Sequence, residues 1–163
     1  MLTSAKPTPA APRANNQWLE VTPGERFNFR VSSEDTAGAY VMFEVVADPR
    51  NGVPMHIHKN EDEHFLILEG TLRLANGDEL VDAPAGTAVT VKRGVPHAWA
   101  NMTNTPVRYL IVFSPGRIEE MFRQNIAAKD DPAAAAATAD RFGTVVIGPP
   151  IAEGLYTFAS PRP

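Results

Sequence analysis

The chain has no cysteine. That excludes a disulfide framework, a thiolate metal site and a cysteine nucleophile, so any transition metal would be held by imidazole and carboxylate groups. It leaves the redox compartment open, because a protein without thiols works in either. Long apolar runs are missing too, and none approaches the roughly 20 residues that a membrane helix needs. The opening residues, Met1-Leu2-Thr3-Ser4-Ala5-Lys6-Pro7, lack the apolar centre of a secretory signal. A cytoplasmic protein with no membrane partner is expected. Basic residues are neither in excess nor clustered: 15 Lys and Arg stand against 19 Asp and Glu, with a net charge of −4, which gives no footprint for nucleic acid. Histidine is scarce, at four residues, so the way those four are spaced carries information.

What is present is the composition of an ordinary globular domain, and 163 residues suffice for one core without covalent staples. Residues 1–17, rich in Ala, Pro, Thr and Asn, read as an N-terminal arm. Residues 18–114 read as short strands. Arg26-Phe27-Asn28-Phe29-Arg30-Val31 alternates polar and apolar, Tyr40 to Val46 is β-branched and aromatic, and His64 to Leu68 is an apolar run ended by Glu69-Gly70. Thr71 to Leu74 alternates before the turn Asn76-Gly77-Asp78, and Ala88–Val91 and Val107–Phe113 complete the set. Many short strands with Gly and Pro between them predict an antiparallel sandwich or barrel. Residues 115–163 change character. Ser114 and Pro115 are expected to open a helix carrying Ile118, Met121, Phe122 and Ile126 at helical spacing. Asp131-Pro132 opens a second helix through an alanine run, with Gly143 as its C-cap, and a short strand at 144–147 precedes a Pro-rich arm over 149–163.

His56-Ile57-His58 puts two imidazoles on one face of a strand. A polar loop, Lys59-Asn60-Glu61-Asp62, then reverses the chain, so that Glu63 can return on the adjacent strand. His97 follows the turn Gly94-Val95-Pro96 and can close the site from across the barrel. Three neutral imidazoles and a carboxylate suit one divalent transition metal: Fe, Ni, Mn or Co, with Zn also possible. Four protein ligands on an octahedral ion leave two positions for a substrate or dioxygen, as a catalytic site requires.

These residues resemble the cupin superfamily. Its first motif is matched by Gly52, His56-Ile57-His58, Glu63 and Gly70, and its second by Gly86, Gly94-Val95-Pro96-His97 and Asn101. Gly52 stands closer to His56 than in the family pattern, and Lys92 occupies a position where proline is usual. The resemblance spans residues 40–113. It implies an all-β fold, a double-stranded β-helix (jelly-roll) barrel with metal at its centre, here followed by a short C-terminal helical segment. Downstream, Glu119-Glu120-Met121-Phe122, Arg141-Phe142-Gly143 and Gly148-Pro149-Pro150 resemble single-domain cupins described as quercetin dioxygenase-like.

Other residues have plainer expected roles. His64 has the opposite parity to Glu63 and is expected to be structural, while Glu61 and Asp62 are expected to be solvated loop charges. Phe43, Met55, Trp99 and Phe113 are candidates for the substrate pocket, Asn101 for closing a turn, and Arg73 and Arg108 for exposed strand positions. The leading expectation is a dioxygenase-type oxidoreductase acting on a small enol, dicarbonyl or aromatic substrate, with Glu63 as general base. Alternatives are a non-redox isomerase or lyase and a non-catalytic small-ligand-binding cupin. Open sheet edges and the two arms suggest a homodimer.

Overall fold

Every second side chain of Val107–Ser114 is buried: Val107, Tyr109, Ile111 and Phe113 turn inward, and the residues between them are half-exposed. This period of two recurs through the chain and builds its sheets. The computed structural model describes residues 17–128 and 131–151. Most of the two expected arms lies outside the described residues. Strands β1 (Leu19–Thr22), β2 (Glu25–Val31), β3 (Val41–Ala47), β4 (Pro54–His58), β5 (Asp62–Glu69), β6 (Thr71–Asn76), β7 (Glu79–Pro84), β8 (Ala88–Val91), β9 (His97–Ala100) and β10 (Val107–Ser114) come first. Helices α1 (Glu119–Ala127) and α2 (Pro132–Phe142) and strand β11 (Thr144–Pro150) follow. No helix among the described residues is long and apolar enough to cross a membrane.

The strands form two antiparallel sheets, one ordered β1-β2-β3-β10-β5-β8 and the other β11-β4-β9-β6-β7. Their inner faces share a core in which Phe27, Phe43, Phe65 and Tyr109 of the first sheet meet Leu72, Leu74 and Trp99 of the second. This is the expected double-stranded β-helix with a short helical segment at its C-terminal end. Phe43 is the hub of the core, with ring centroids 4.7 Å from Phe29, 5.2 Å from Phe27 and 5.2 Å from Phe122. Each such ring contributes roughly 1.5–3 kcal/mol by leaving water. Met121 and Phe122 bring α1 onto the same core, so the helix covers an opening of the barrel rather than standing apart from it.

Three local expectations change. Ser114 does not cap a helix: it ends β10, its hydroxyl donates to the Ala39 carbonyl, and α1 begins only at Glu119 after a 3-10 turn. The paired end of β10 opposite Asp62 holds Ser114 extended. The second helix does follow its end signals, with Asp131 Oδ1 accepting from Ala134 N at 3.0 Å and Gly143 at φ 85°. Neither Glu61 nor Asp62 is a free solvated charge. Glu61 is buried, and Asp62 accepts from the Arg93 backbone N–H at 2.9 Å, which ties down the turn before His97. Gly52 sits where a Cβ would come within 2.8 Å of the Trp99 carbonyl oxygen, so its place close to His56 is where two strands touch.

Candidate metal centre

The four expected ligands meet, though by a different route from the one the spacing suggests. Residues 59–61 carry the chain from one sheet to the other, so β4 and β5 are not neighbours. His97 lies beside His56 as its cross-strand partner on β9, and it is Glu63 that arrives from across the barrel. The reason is topological: a jelly roll alternates sheets along the chain, so a short polar loop crosses between them instead of making a hairpin.

One donor atom from each of His56, His58, Glu63 and His97 lies within 4.8 Å of all the others. The Nε2 atoms of His56 and His58 are 3.2 Å apart. Glu63 Oε2 is 2.8 Å from His97 Nε2 and 3.5 Å from His58 Nε2. An ion with bonds near 2.1 Å separates adjacent ligand atoms by about 3.0 Å, and the separations of 2.8, 3.2 and 3.5 Å lie close to that value.

The outward nitrogens orient the rings. His56 Nδ1 donates to the Pro54 carbonyl at 2.8 Å and His97 Nδ1 to the Val95 carbonyl at 2.9 Å. In a neutral imidazole this leaves Nε2 of both rings as a lone-pair acceptor aimed into the cluster. His58 Nδ1 is 2.9 Å from the Thr144 hydroxyl, which β11 places opposite His58 in the strand register. Burial lowers the pKa of His56, and lowers that of His58 to about 3, so both rings are neutral. His97 differs: burial alone would depress it, but the Glu63 carboxylate beside it outweighs burial and raises it. Glu63, conversely, is held low by the three imidazoles against the effect of its own burial.

Although only 2.8 Å apart, His97 Nε2 and Glu63 Oε2 are not aligned as a hydrogen bond, and both are buried without a hydrogen-bond partner. Buried polar atoms in such a state cost about 1–3 kcal/mol each. A cation among the four donors would satisfy all of them at once, and the donor set of three imidazoles and one carboxylate fits a divalent transition metal.

Beside the cluster lies a cavity of about 330 Å³. His56, His58 and Glu63 form part of its wall, and Trp99, Phe113, Phe27 and Phe122 supply aromatic surface. Of the residues nominated for a pocket, Trp99 and Phe113 line it and Phe43 and Met55 do not. Phe43 sits behind the wall in the aromatic core, and Met55 faces the opposite side of β4, against Ala75 and Ala98. Alternation decides this, because Met55 cannot share a face with His56 and His58. His64 pairs with Thr90 at 3.0 Å, away from the cluster. Asn101 is buried and closes the 101–105 turn, donating to the Ala47, Asp48 and Thr105 carbonyls. Arg73 pairs with Asp82, and Arg108 with Glu44 and Glu69.

Three residues of the site escaped the reading of the sequence. Thr144 stands 86 positions from His58 and has no local signal. Asn125 reaches the cavity only because α1 folds back over it. Glu25 also lines the cavity, and for it there was a signal: it shares inward parity with Phe27 and Phe29.

Comparison with known proteins places the fold. Residues 43–113 match the family described as Cupin domain. A search of curated proteins found no match. Among solved structures, KdgF from a Halomonas species superposes with a TM-score of 0.59 at 17% identity, covering 66% of this chain and 95% of that one. A predicted oxalate decarboxylase from Thermotoga maritima gives 0.55 at 21% identity, covering 61% and 90%. The polyketide cyclase RemF from Streptomyces resistomycificus gives 0.54 at 20% identity, covering 70% and 80%. At such identities the likeness extends to the fold and stops short of activity.

Proposed function

We propose that this chain, whose residues 43–113 match the Cupin domain family, is a cupin and a metal-dependent oxidoreductase of the dioxygenase type, acting on a small enol, dicarbonyl or aromatic substrate. The observation that carries this reading is the opening of His56, His58 and Glu63 onto a largely apolar cavity of about 330 Å³. Donors buried on every side would make a structural site, whereas these share a wall with space for a ligand. His56, His58, Glu63 and His97 would hold the ion. When bound, such a metal polarises a substrate oxygen and, if redox-active, lets dioxygen react beside it.

The residues of the chain do the rest. Phe27, Trp99, Phe113 and Phe122 exclude water and seat the apolar body of the substrate. Glu63, with one oxygen turned to the imidazoles, would take a proton from an enol or phenol hydroxyl at the cluster. The Pro54 and Val95 carbonyls and the Thr144 hydroxyl keep the rings in the orientation that this needs.

The test is oxygen uptake by protein loaded in turn with Fe, Ni, Mn and Co, against a panel of flavonols, diketones and catechols. Uptake with any of them, lost in Glu63→Gln, supports the reading; none across the panel counts against it. A second carboxylate in the cavity, Glu25, favours a rival: a non-redox isomerase or lyase working with two acid–base groups. Turnover with Zn under anaerobic conditions would select that rival. A homodimer is part of the proposal, since β8 and β7 leave one end of each sheet open. Light scattering on the eluting protein reads its mass directly.

A further inference from the structure

Glu25 opens β2 on the face that Phe27 and Phe29 turn to the core. Its side chain is 4% exposed and lines the same cavity as the metal ligands. One oxygen, Oε2, accepts from the Thr22 hydroxyl at 3.0 Å. Glu25 takes no other side-chain hydrogen bond and no ion pair among the described residues. A buried carboxylate with one weak partner is costly unless something else meets it. Across the same cavity, α1 supplies Asn125, whose carbonyl oxygen is buried without a partner. The wall around both is apolar: Phe27, Trp99, Phe113, Met121 and Phe122.

We propose that Glu25 is a ligand anchor, receiving the hydroxyl group of a neutral, apolar, ring-sized molecule whose other polar end faces His56, His58 and Glu63. The inference rests on the reading of the cavity as the substrate chamber and adds a substrate class to it. Two unfilled acceptors, on Glu25 and Asn125, call for a donor from the ligand. The aromatic wall calls for an apolar body. An anionic ligand would meet two carboxylates, and a cationic amine would have to leave water for an apolar wall. A neutral hydroxyl, with one hydrogen to donate, meets the Glu25 acceptor at the smallest cost. Burial, reinforced by the charge of Glu63 and opposed by the Thr22 hydroxyl, raises the Glu25 carboxyl to about 7, so near neutrality it can donate as well as accept.

The test is a fluorescence titration of the full chain with 2-naphthol and with 2-methoxynaphthalene, which differ in one hydroxyl hydrogen replaced by methyl. Sites built to bond a hydroxyl reject analogues that lack it, and wild type is expected to prefer 2-naphthol by about tenfold. Glu25→Leu should bring the ratio near one. Thr22→Val, which removes the partner of Oε2 and keeps the core shape, should shrink the preference. Equal affinities in wild type, or a preference that survives Glu25→Leu in folded protein, would overturn the proposal. So would failure of both probes to bind. Each titration is run on protein stripped by chelator and on protein loaded with cobalt. A Glu25-dependent preference in protein that takes up no cobalt would sink the metal reading and leave the anchor standing. Cobalt uptake with no preference would do the reverse.

Discussion

Two clusters of ionisable groups flank the six-stranded sheet, and they differ in how their charges are met. On the outer face, Glu44 accepts from Arg30 at 2.7 Å and from Arg108 at 2.8 Å, and Arg108 also reaches Glu69 at 2.5 Å. Every carboxylate there faces a guanidinium, and Glu44 stays ionised because the two arginines outweigh its desolvation. On the inner face, Glu63 meets two imidazoles that burial keeps neutral and a third, His97, whose pKa the Glu63 charge raises, and Glu63 Oε2 has no hydrogen-bond partner. The outer cluster is complete within the chain and needs nothing further. The inner one is pre-arranged around something the chain does not supply. Glu44 and Glu63 are both buried, at 6% and 4% exposure, so what separates a structural network from a site is whether its hydrogen-bonding capacity is already used.

The contrast can be broken most strongly with a chelator. If the inner cluster is completed by a metal, its removal should cost about 4 kcal/mol at a thousandfold excess over Kd, a fall of about 10 °C in Tm for a chain of this size. His58→Ala should melt at the same temperature with and without chelator. Differential scanning calorimetry of the two proteins checks this, and an equal response in both would remove the distinction between the faces.

Glu25 gives the next largest effect, and its sign is fixed. Its carboxyl is raised from the ordinary 4.5 to about 7 in the fold. The folded state therefore binds more protons than the unfolded state between those values, and stability falls as pH rises through that window. The gap corresponds to roughly 3 kcal/mol, complete above pH 7. Glu25→Gln, which cannot ionise, should gain stability over wild type by that order at pH 8 and by little at pH 4, in urea titrations at each pH. A difference independent of pH would mean that Glu25 is not ionised against the cost of burial. Thr22, Glu63 and the Tyr109 hydroxyl are the groups acting with it there.

Thr144→Val sharpens the comparison further. It removes the partner of His58 Nδ1 without touching a ligand, and metal affinity should fall about 10–100-fold in a competition titration with a chromophoric chelator. The smallest effect belongs to the outer face. Glu44→Gln should cost about 1 kcal/mol in urea unfolding, with metal content unchanged. A loss of metal in that variant would couple the two faces and erase the contrast drawn between them.

Much of the inner cluster was legible in the sequence because its spacing is local. His56 and His58 share a strand face by parity, and Glu63 and His97 follow short turns whose Gly, Pro and polar residues are visible. Which ligand comes from which side was not legible, because crossing between sheets and making a hairpin look alike in a four-residue polar loop. Strands β2 and β6 announced themselves through alternation and β3 and β5 as β-branched or apolar runs, whereas β7 was not read from the sequence. The start of α1 did not, since Ser114 and Pro115 carry helix-opening chemistry while pairing holds Ser114 in β10. The cavity depends on Asn125, Met121 and Phe122 folding back over β2, and on Thr144 meeting His58 across β11, contacts between segments far apart in the chain. Glu25 was the residue that parity could have found, as a carboxylate in register with two inward phenylalanines.

Elemental analysis by mass spectrometry, on protein purified without a metal-binding tag, tests the central claim most directly, with His97→Ala as its control. About one equivalent of Fe, Ni, Mn, Co or Zn per chain, lost in the variant, is the result this account predicts. No metal in either protein, even after reconstitution with each ion, would contradict it.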